Sequence, residues 1–214
     1  MDWIHFLIYI HAAFGGLALV SGFISATSFK GSRVHTRAGI VFHHSMIVAI
    51  LFSSIVALLP AHFNPFLLGI GVFSLYGVIS GRRCLKVNKP NYQHKIDTYL
   101  AYFLILNCAL MVGLPLVFQG KINIILTVFG SLGILAAVRD LLSFRDLDRL
   151  KADRIQHHIN KISGGYIAAI TAFLVVNELL PSYWAWFTPT VIGGVFATYY
   201  NVIYRNKKTD FINS

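Results

Sequence analysis

Lys30-Gly31-Ser32-Arg33-Val34-His35-Thr36-Arg37-Ala38-Gly39, followed by Phe42-His43-His44, is the stretch whose reading decides the fold. An apolar run from Trp3 to about Ser28 precedes it, and a second from Ile40 to Pro60 follows it. The stretch itself carries Lys30, Arg33 and Arg37, no anion, and His35, His43 and His44 at or just past its end. Cations held between two apolar runs read as a turn joining two membrane spans, and their charge sets which way every other span points.

The composition agrees. The chain has 214 residues, of which 56% are hydrophobic and 12% charged, against about 25% charged in soluble proteins. Its mean hydropathy is +0.66. A net charge of +10 would suit nucleic acid, but the cations sit between apolar runs and not on one soluble face. They fit orientation signals and contacts to anionic lipid headgroups, so no nucleic-acid partner is expected. Cys84 belongs at a span end and Cys108 in mid-membrane, which argues against a structural disulfide. The first run starts at Trp3 without a basic segment before it and is long enough to span, so it is expected to stay as a span.

Working outward, seven spans are expected, at about 3–26, 39–59, 65–82, 97–118, 122–143, 158–180 and 184–204, as one transmembrane domain covering 1–214. Each has about the 20 residues that cross a hydrocarbon core of roughly 30 Å at 1.5 Å per residue. The expected fold class is therefore an all-α seven-helix bundle, because no alternating ten-residue strands of a barrel are present. Of the 18 cations, all but Lys121 fall on the loops after spans 1, 3 and 5, at the ends of their flanking helices, or on the C-terminal tail. The positive-inside rule then puts the N-terminus outside and the C-terminus in the cytoplasm. The segment 144–157 is rich in both charge signs and is expected to continue a neighbouring span as a surface helix. Trp3 and the run Tyr183-Trp184-Ala185-Trp186-Phe187 fit an outer interface, and Tyr199, Tyr200 and Tyr204 approach the inner one.

Small residues mark the packed faces. Gly15, Ala18 and Gly22 share a helical stripe with His11, so His11 is expected to face another helix. In span 3, Gly77 and Gly81 make a close-packing seam beside Ser74, while Gly69, Tyr76, Ser80 and Arg83 form a polar stripe. His158 lines up with Gly165, Ala169 and Ala172.

These positions draw a polar constellation at the cytoplasmic side: His35, Arg37, His43, His44, Ser80, Arg82, Arg83, Arg139, Asp140, His157 and His158. Ionisable groups within spans are costly to bury and count as site candidates. For the arginines, the alternative is that they snorkel to headgroups, or that Arg139 pairs with Asp140 or Asp97. Three chemistries are open. One is a b-type haem held by His43 or His44 facing His158, although His44 and His158 differ in depth by roughly 7–8 Å at 1.5 Å per residue. A metal-dependent hydrolase lacks its spacing, with no HExxH and no acid beside the histidines. An anion site built from Arg and His needs no fixed ligand spacing.

The combination His11…Gly15…Ser21-Gly22, His35-x-Arg37-x-Gly39, Asn64-Pro65-Phe66…Ser74-x-Tyr76…Ser80-Gly81, Arg139-Asp140 and His158…Gly165-Tyr166-Ile167-Ala168-Ala169-x-Thr171-Ala172-Phe173…Asn177…Pro181 resembles a family of bacterial multi-pass membrane proteins of unknown function. The resemblance spans nearly the whole chain. It implies a location in the bacterial inner membrane and carries over His11, His35, Arg37, Arg139, Asp140 and His158 as site candidates. His43-His44 lies outside that pattern, which weakens the haem reading. The expectation is a protein that binds or transports a small anionic or amphiphilic ligand, with His11, His35, Arg37, Ser80, Arg139, Asp140 and His158 as ligand candidates and no enzymatic activity assigned. The alternatives are a redox protein holding b-type haem or handling quinone, with His43, His44 and His158 as haem candidates, and a structural membrane subunit. Arg139, Asp140 and His158 are expected to form one network.

Overall fold

The computed structural model describes residues 3–181 and 183–213, the side chains of Gln119 and 207–213 excepted. The described residues are mostly helical, without strands. Helices α1 (Trp3–Thr27), α2 (Arg33–Leu58), α3 (Pro65–Arg83), α4 (His94–Gln119), α5 (Ile124–Ser143), α6 (Leu147–Ala152), α7 (Arg154–Val176) and α8 (Tyr183–Asn213) follow in order. Six of the described helices, all but α6 and α8, are long and apolar enough to cross a membrane. α8 is long enough, but its tyrosines, Thr198, Asn201 and basic end lower its hydropathy.

Local chemistry sets the boundaries. The opening stretch is a turn only from Phe29 to Ser32, closed by Ser32 N–H donating to the Phe29 carbonyl at 3.1 Å. Gly31 takes φ +80° there, a left-handed conformation that glycine adopts without steric cost. Ser32 Oγ accepts from His35 N–H at 3.1 Å, capping α2. The second helix therefore begins six residues before the expected Gly39, and His35 and Arg37 stand on its first turns. Asn64 and Asn123 cap α3 and α5 in the same way, and Pro65 occupies the first turn of α3, where its missing N–H costs nothing. Gly120, at φ +62°, closes α4. The sixth long helix is displaced toward the loop, from 158–180 to Arg154–Val176. The segment 144–157 continues a span only in part: 154–157 open α7, whereas Asp146 caps a separate two-turn helix, α6, whose Leu150 is buried.

α3 and α7 form the centre of the bundle. α1 and α2 pair as a hairpin, as do α4 with α5 and α7 with α8, while α3 touches α2, α4, α5 and α7. The α3–α7 approach is close because glycine lines it. A Cβ built on Gly77 would sit 2.7 Å from the Lys161 carbonyl oxygen, and one on Gly165 would sit 3.1 Å from the Ser74 carbonyl oxygen. Without a large hydrophobic drive between helices in lipid, such small-residue contacts hold them together. Ala18, Phe42, Met46 and Val78 pack with Ile162 and Tyr166 where α1, α2, α3 and α7 meet. Tyr76, Ala101, Leu104, Cys108 and Ala137 join α3, α4 and α5.

α8 touches both ends of the bundle. Trp186 packs edge-on against Phe66 at the start of α3, with centroids 4.7 Å apart, and tilts over Phe129 of α5 at 6.2 Å. Fourteen residues on, the Tyr200 ring lies 4.3 Å from Lys30 Nζ in the α1–α2 turn. Lys30 also donates to the Ala26 carbonyl at the end of α1.

Candidate functional site

The basic end of the bundle, where α1, α3 and α5 finish and α2, α4 and α7 begin, holds the buried charges. Asp140 sits one turn before the end of α5 and faces inward on the stripe of Gly133 and Ala137. Its Oδ2 accepts from the Tyr76 hydroxyl of α3 and lies 2.9 Å from Lys161 Nζ of α7. Its Oδ1 faces His157 Nδ1 at 3.8 Å. The Lys161 side chain is 9% exposed, and its ammonium stands over the rings of Phe144, at 5.7 Å, and Tyr76, at 5.9 Å. Ser80 Oγ, one turn from Tyr76, donates to the Tyr76 carbonyl at 2.7 Å. Three side chains from α3 and α7 thus converge on one carboxylate of α5.

A second charge pair lies beside the first. Arg83 grips Asp97 with Nε at 2.8 Å from Oδ1 and Nη2 at 2.9 Å from Oδ2, and the same Nη2 donates to the Gln93 carbonyl at 3.0 Å. This two-pronged geometry is the strong form of the pair. Tyr92, in the turn between α3 and α4, lies with its ring 5.8 Å from the Arg83 guanidinium. Burial and then the Asp97 carboxylate push its phenol above the ordinary range. At the far end of the same helix pair, Asn107 Nδ2 donates to the Gly69 carbonyl at 3.1 Å. Between these two polar clips, Val72, Leu75, Tyr76 and Ile79 of α3 and Leu100 and Phe103 of α4 line an apolar cleft of about 60 Å³. Tyr76 therefore forms a wall of the cleft while its hydroxyl binds Asp140.

The histidines are held one by one. His158 Nδ1–H donates to the Gly81 carbonyl at 2.7 Å, His11 Nδ1–H to the Ala49 carbonyl at 2.9 Å, and His35 Nδ1–H to the Ser25 carbonyl at 2.9 Å. Since a carbonyl only accepts, each bond fixes the tautomer and leaves Nε2 as the free lone pair of the neutral ring. His44 is exposed and donates to the Ile40 carbonyl one turn back. His43 Nδ1 is buried without a hydrogen-bond partner. His11 therefore faces α2, and the small-residue stripe beside it predicts that orientation.

The expected Arg139–Asp140–His158 network forms differently. Arg139 is exposed, because neighbours on a helix point about 100° apart and Asp140 takes the inward direction. His158 binds α3, and its neighbour His157 faces Asp140. Arg37 is exposed as well, with Gly31, Arg33 and Thr36 around a shallow depression. Ser80 is buried in the site. Lys161 escaped the sequence reading, which counted it only among the orienting cations, and Asp97 entered it only as an alternative partner for Arg139, whereas its partner is Arg83. The spacing of His157 and Lys161, one helical turn apart opposite Asp140, was the available signal. Among the described residues, no three or more His, Cys, Asp or Glu side chains converge as a metal site. Comparisons with known protein families, with curated proteins and with solved structures find no match.

Proposed function

We propose that this chain is a multi-pass protein of the bacterial inner membrane that binds or transports a small anionic or amphiphilic ligand at its basic, cytoplasmic end. The observation carrying this reading is the Asp140–Lys161–Tyr76–His157 cluster. Buried ionisable groups inside a membrane bundle are expensive, and they mark ligand and ion pathways more often than they mark adhesive contacts. The small apolar cleft between α3 and α4 shares its Tyr76 wall with the cluster that holds Lys161. The cations at the loop ends suit anionic headgroups of the inner leaflet. The inner-membrane location rests on the resemblance stated above.

Seven spans with the N-terminus outside follow from the same cation distribution. The contacts of α8 support its place as the seventh. From Trp186 to Tyr200 it covers about 21 Å at 1.5 Å per residue, between partners at opposite ends of the bundle.

The test is thermal stabilisation of the purified protein by a panel of soluble anions and single-chain amphiphiles. Stabilisation by an anionic member that disappears in Lys161→Met supports the reading. No stabilisation by any of them leaves the cluster as a lock between helices and the protein as a structural subunit.

A redox reading has its own support in the histidine tautomers. Ligating histidines commonly give their second N–H to a carbonyl, as His158 and His44 do. His43, His44 and His158 remain its candidates, and a Soret band in the purified protein decides it.

A further inference from the structure

We propose that Asp140 is a built-in stand-in for the ligand's own carboxylate, so that one proton is taken up for every carboxylate bound. This rests on the ligand-binding reading above and names its substrate class and its coupling.

The geometry is that of a carboxylate receptor already filled. The Tyr76 hydroxyl and the Lys161 ammonium, from two different helices, meet at one oxygen, Oδ2. The helices that carry them are held together without Asp140, because α3 and α7 are pressed together at Gly77 and Gly165. Lys161 has three N–H groups, with one carboxylate oxygen in reach and two aromatic faces around it. A second carboxylate brought to the Tyr76 hydroxyl and Lys161 ammonium would compete for the two donors that Asp140 now holds. It cannot join Asp140 there while both are ionised, since two like charges on one site disfavour each other.

Protonation of Asp140 resolves the conflict. Oδ1 faces His157, whose side chain is 21% exposed, so a proton reaches it from the loop side through that imidazole. The O–H bond forms at Oδ1, and Oδ2 becomes a neutral carbonyl oxygen and a weaker acceptor. Lys161 keeps its proton and donates to the incoming carboxylate, as does Tyr76. The site holds one negative and one positive charge before and after, and the ligand anion and the proton enter together. The groups facing Asp140 are Tyr76 from α3, Cys84 from the turn after α3, and His157 and Lys161 from α7. Asp97 of α4 stands beyond Tyr76 and is already matched by Arg83.

The experiment is calorimetric titration of octanoate into the protein in lipid nanodiscs, repeated in buffers of different ionisation enthalpy. The wild type is expected to take up one proton per octanoate, with affinity falling about tenfold per pH unit once Asp140 is ionised. Asp140→Asn should bind octanoate at least as tightly, without proton uptake and without that pH dependence. Lys161→Met should lose binding. Where that variant does not fold, the double variant Asp140→Asn/Lys161→Met, which leaves no unpaired charge, takes its place. Wild-type binding without proton uptake, or uptake that persists in Asp140→Asn, overturns the proposal. Lys161-dependent binding of decyl phosphate with no binding of octanoate overturns the carboxylate assignment and leaves the ligand-binding reading standing. Octanoate binding that ignores Lys161 overturns both.

Discussion

The carbonyl oxygen of Lys161 lies where Gly77 has no side chain. A Cβ on Gly77 would come within 2.7 Å of it, so the presence of glycine on α3 sets how deep Lys161 of α7 reaches into the bundle. The clash partner is backbone and cannot swing aside. Gly77→Ala is expected to cost about 1–3 kcal/mol, in the range of overpacking, and to weaken any ligand binding at Lys161. Gly164→Ala, where nothing stands within 4 Å, is expected to change stability by less than about 0.5 kcal/mol. Thermal unfolding of the two variants in the same detergent checks this.

The Arg83–Asp97 pair joins α3 to α4. Asp97 is nearly fully buried, with 3% of its side chain exposed, whereas Arg83 is 25% exposed. Loss of the guanidinium strands a buried carboxylate, whereas loss of the carboxylate leaves an arginine that can turn to water. Arg83→Met should therefore destabilise more than Asp97→Leu, by up to about 3–5 kcal/mol for a stranded buried charge. The double variant should recover much of the loss. Equal costs for the two single variants would contradict the burial argument.

His11 offers a contrast in magnitude. Its bond to the Ala49 carbonyl adds to a helix whose carbonyls are already used, and interhelical hydrogen bonds in membranes average about 0.6 kcal/mol. His11→Phe is expected to cost about 1 kcal/mol or less in thermal unfolding.

Tyr92 predicts an alkaline effect. Its phenol is raised by burial and by the Asp97 carboxylate, so the unfolded chain loses this proton first as pH rises. The associated stability is complete below about pH 10, the ordinary tyrosine range, and is lost on going above it. Tyr92→Phe should flatten the fall of the unfolding temperature between pH 9.5 and pH 11.

The spanning of α8 is open to a direct check. A reporter fused after Arg205 is expected to behave as cytoplasmic, and one fused after Val176, which removes α8, as periplasmic. The same compartment for both would remove α8 from the spanning set.

Most of the helix plan was legible in the sequence because apolar runs and cation clusters are summed over many residues. The limits lay in direction. Arg139 and Asp140 are one residue apart, and so are His157 and His158, yet each pair divides between different surroundings. A depth argument treats such neighbours alike, and only the packing of α5 and α7 tells them apart. The stripe of His11, Gly15, Ala18 and Gly22 read correctly because small residues report azimuth as well as depth. The early start of α2 was hidden by its charge, since Ser32 caps a helix whose first turns are polar. Lys161 was hidden by its type, because a lysine near a span end reads as an orientation signal.

Asp140 lies three residues before the end of α5 at Ser143, about 4.5 Å along the axis of a core roughly 30 Å thick. On the proposed orientation, with the basic end in the cytoplasm, a charge reaching it from that side crosses about one-sixth of the transmembrane potential. A full crossing is worth about 2.3 kcal/mol per charge at 100 mV, so this step carries only about 0.4 kcal/mol. Entry at Asp140 is thus nearly indifferent to voltage, and any electrical work in a transport cycle would have to fall on the passage from Asp140 to the opposite face.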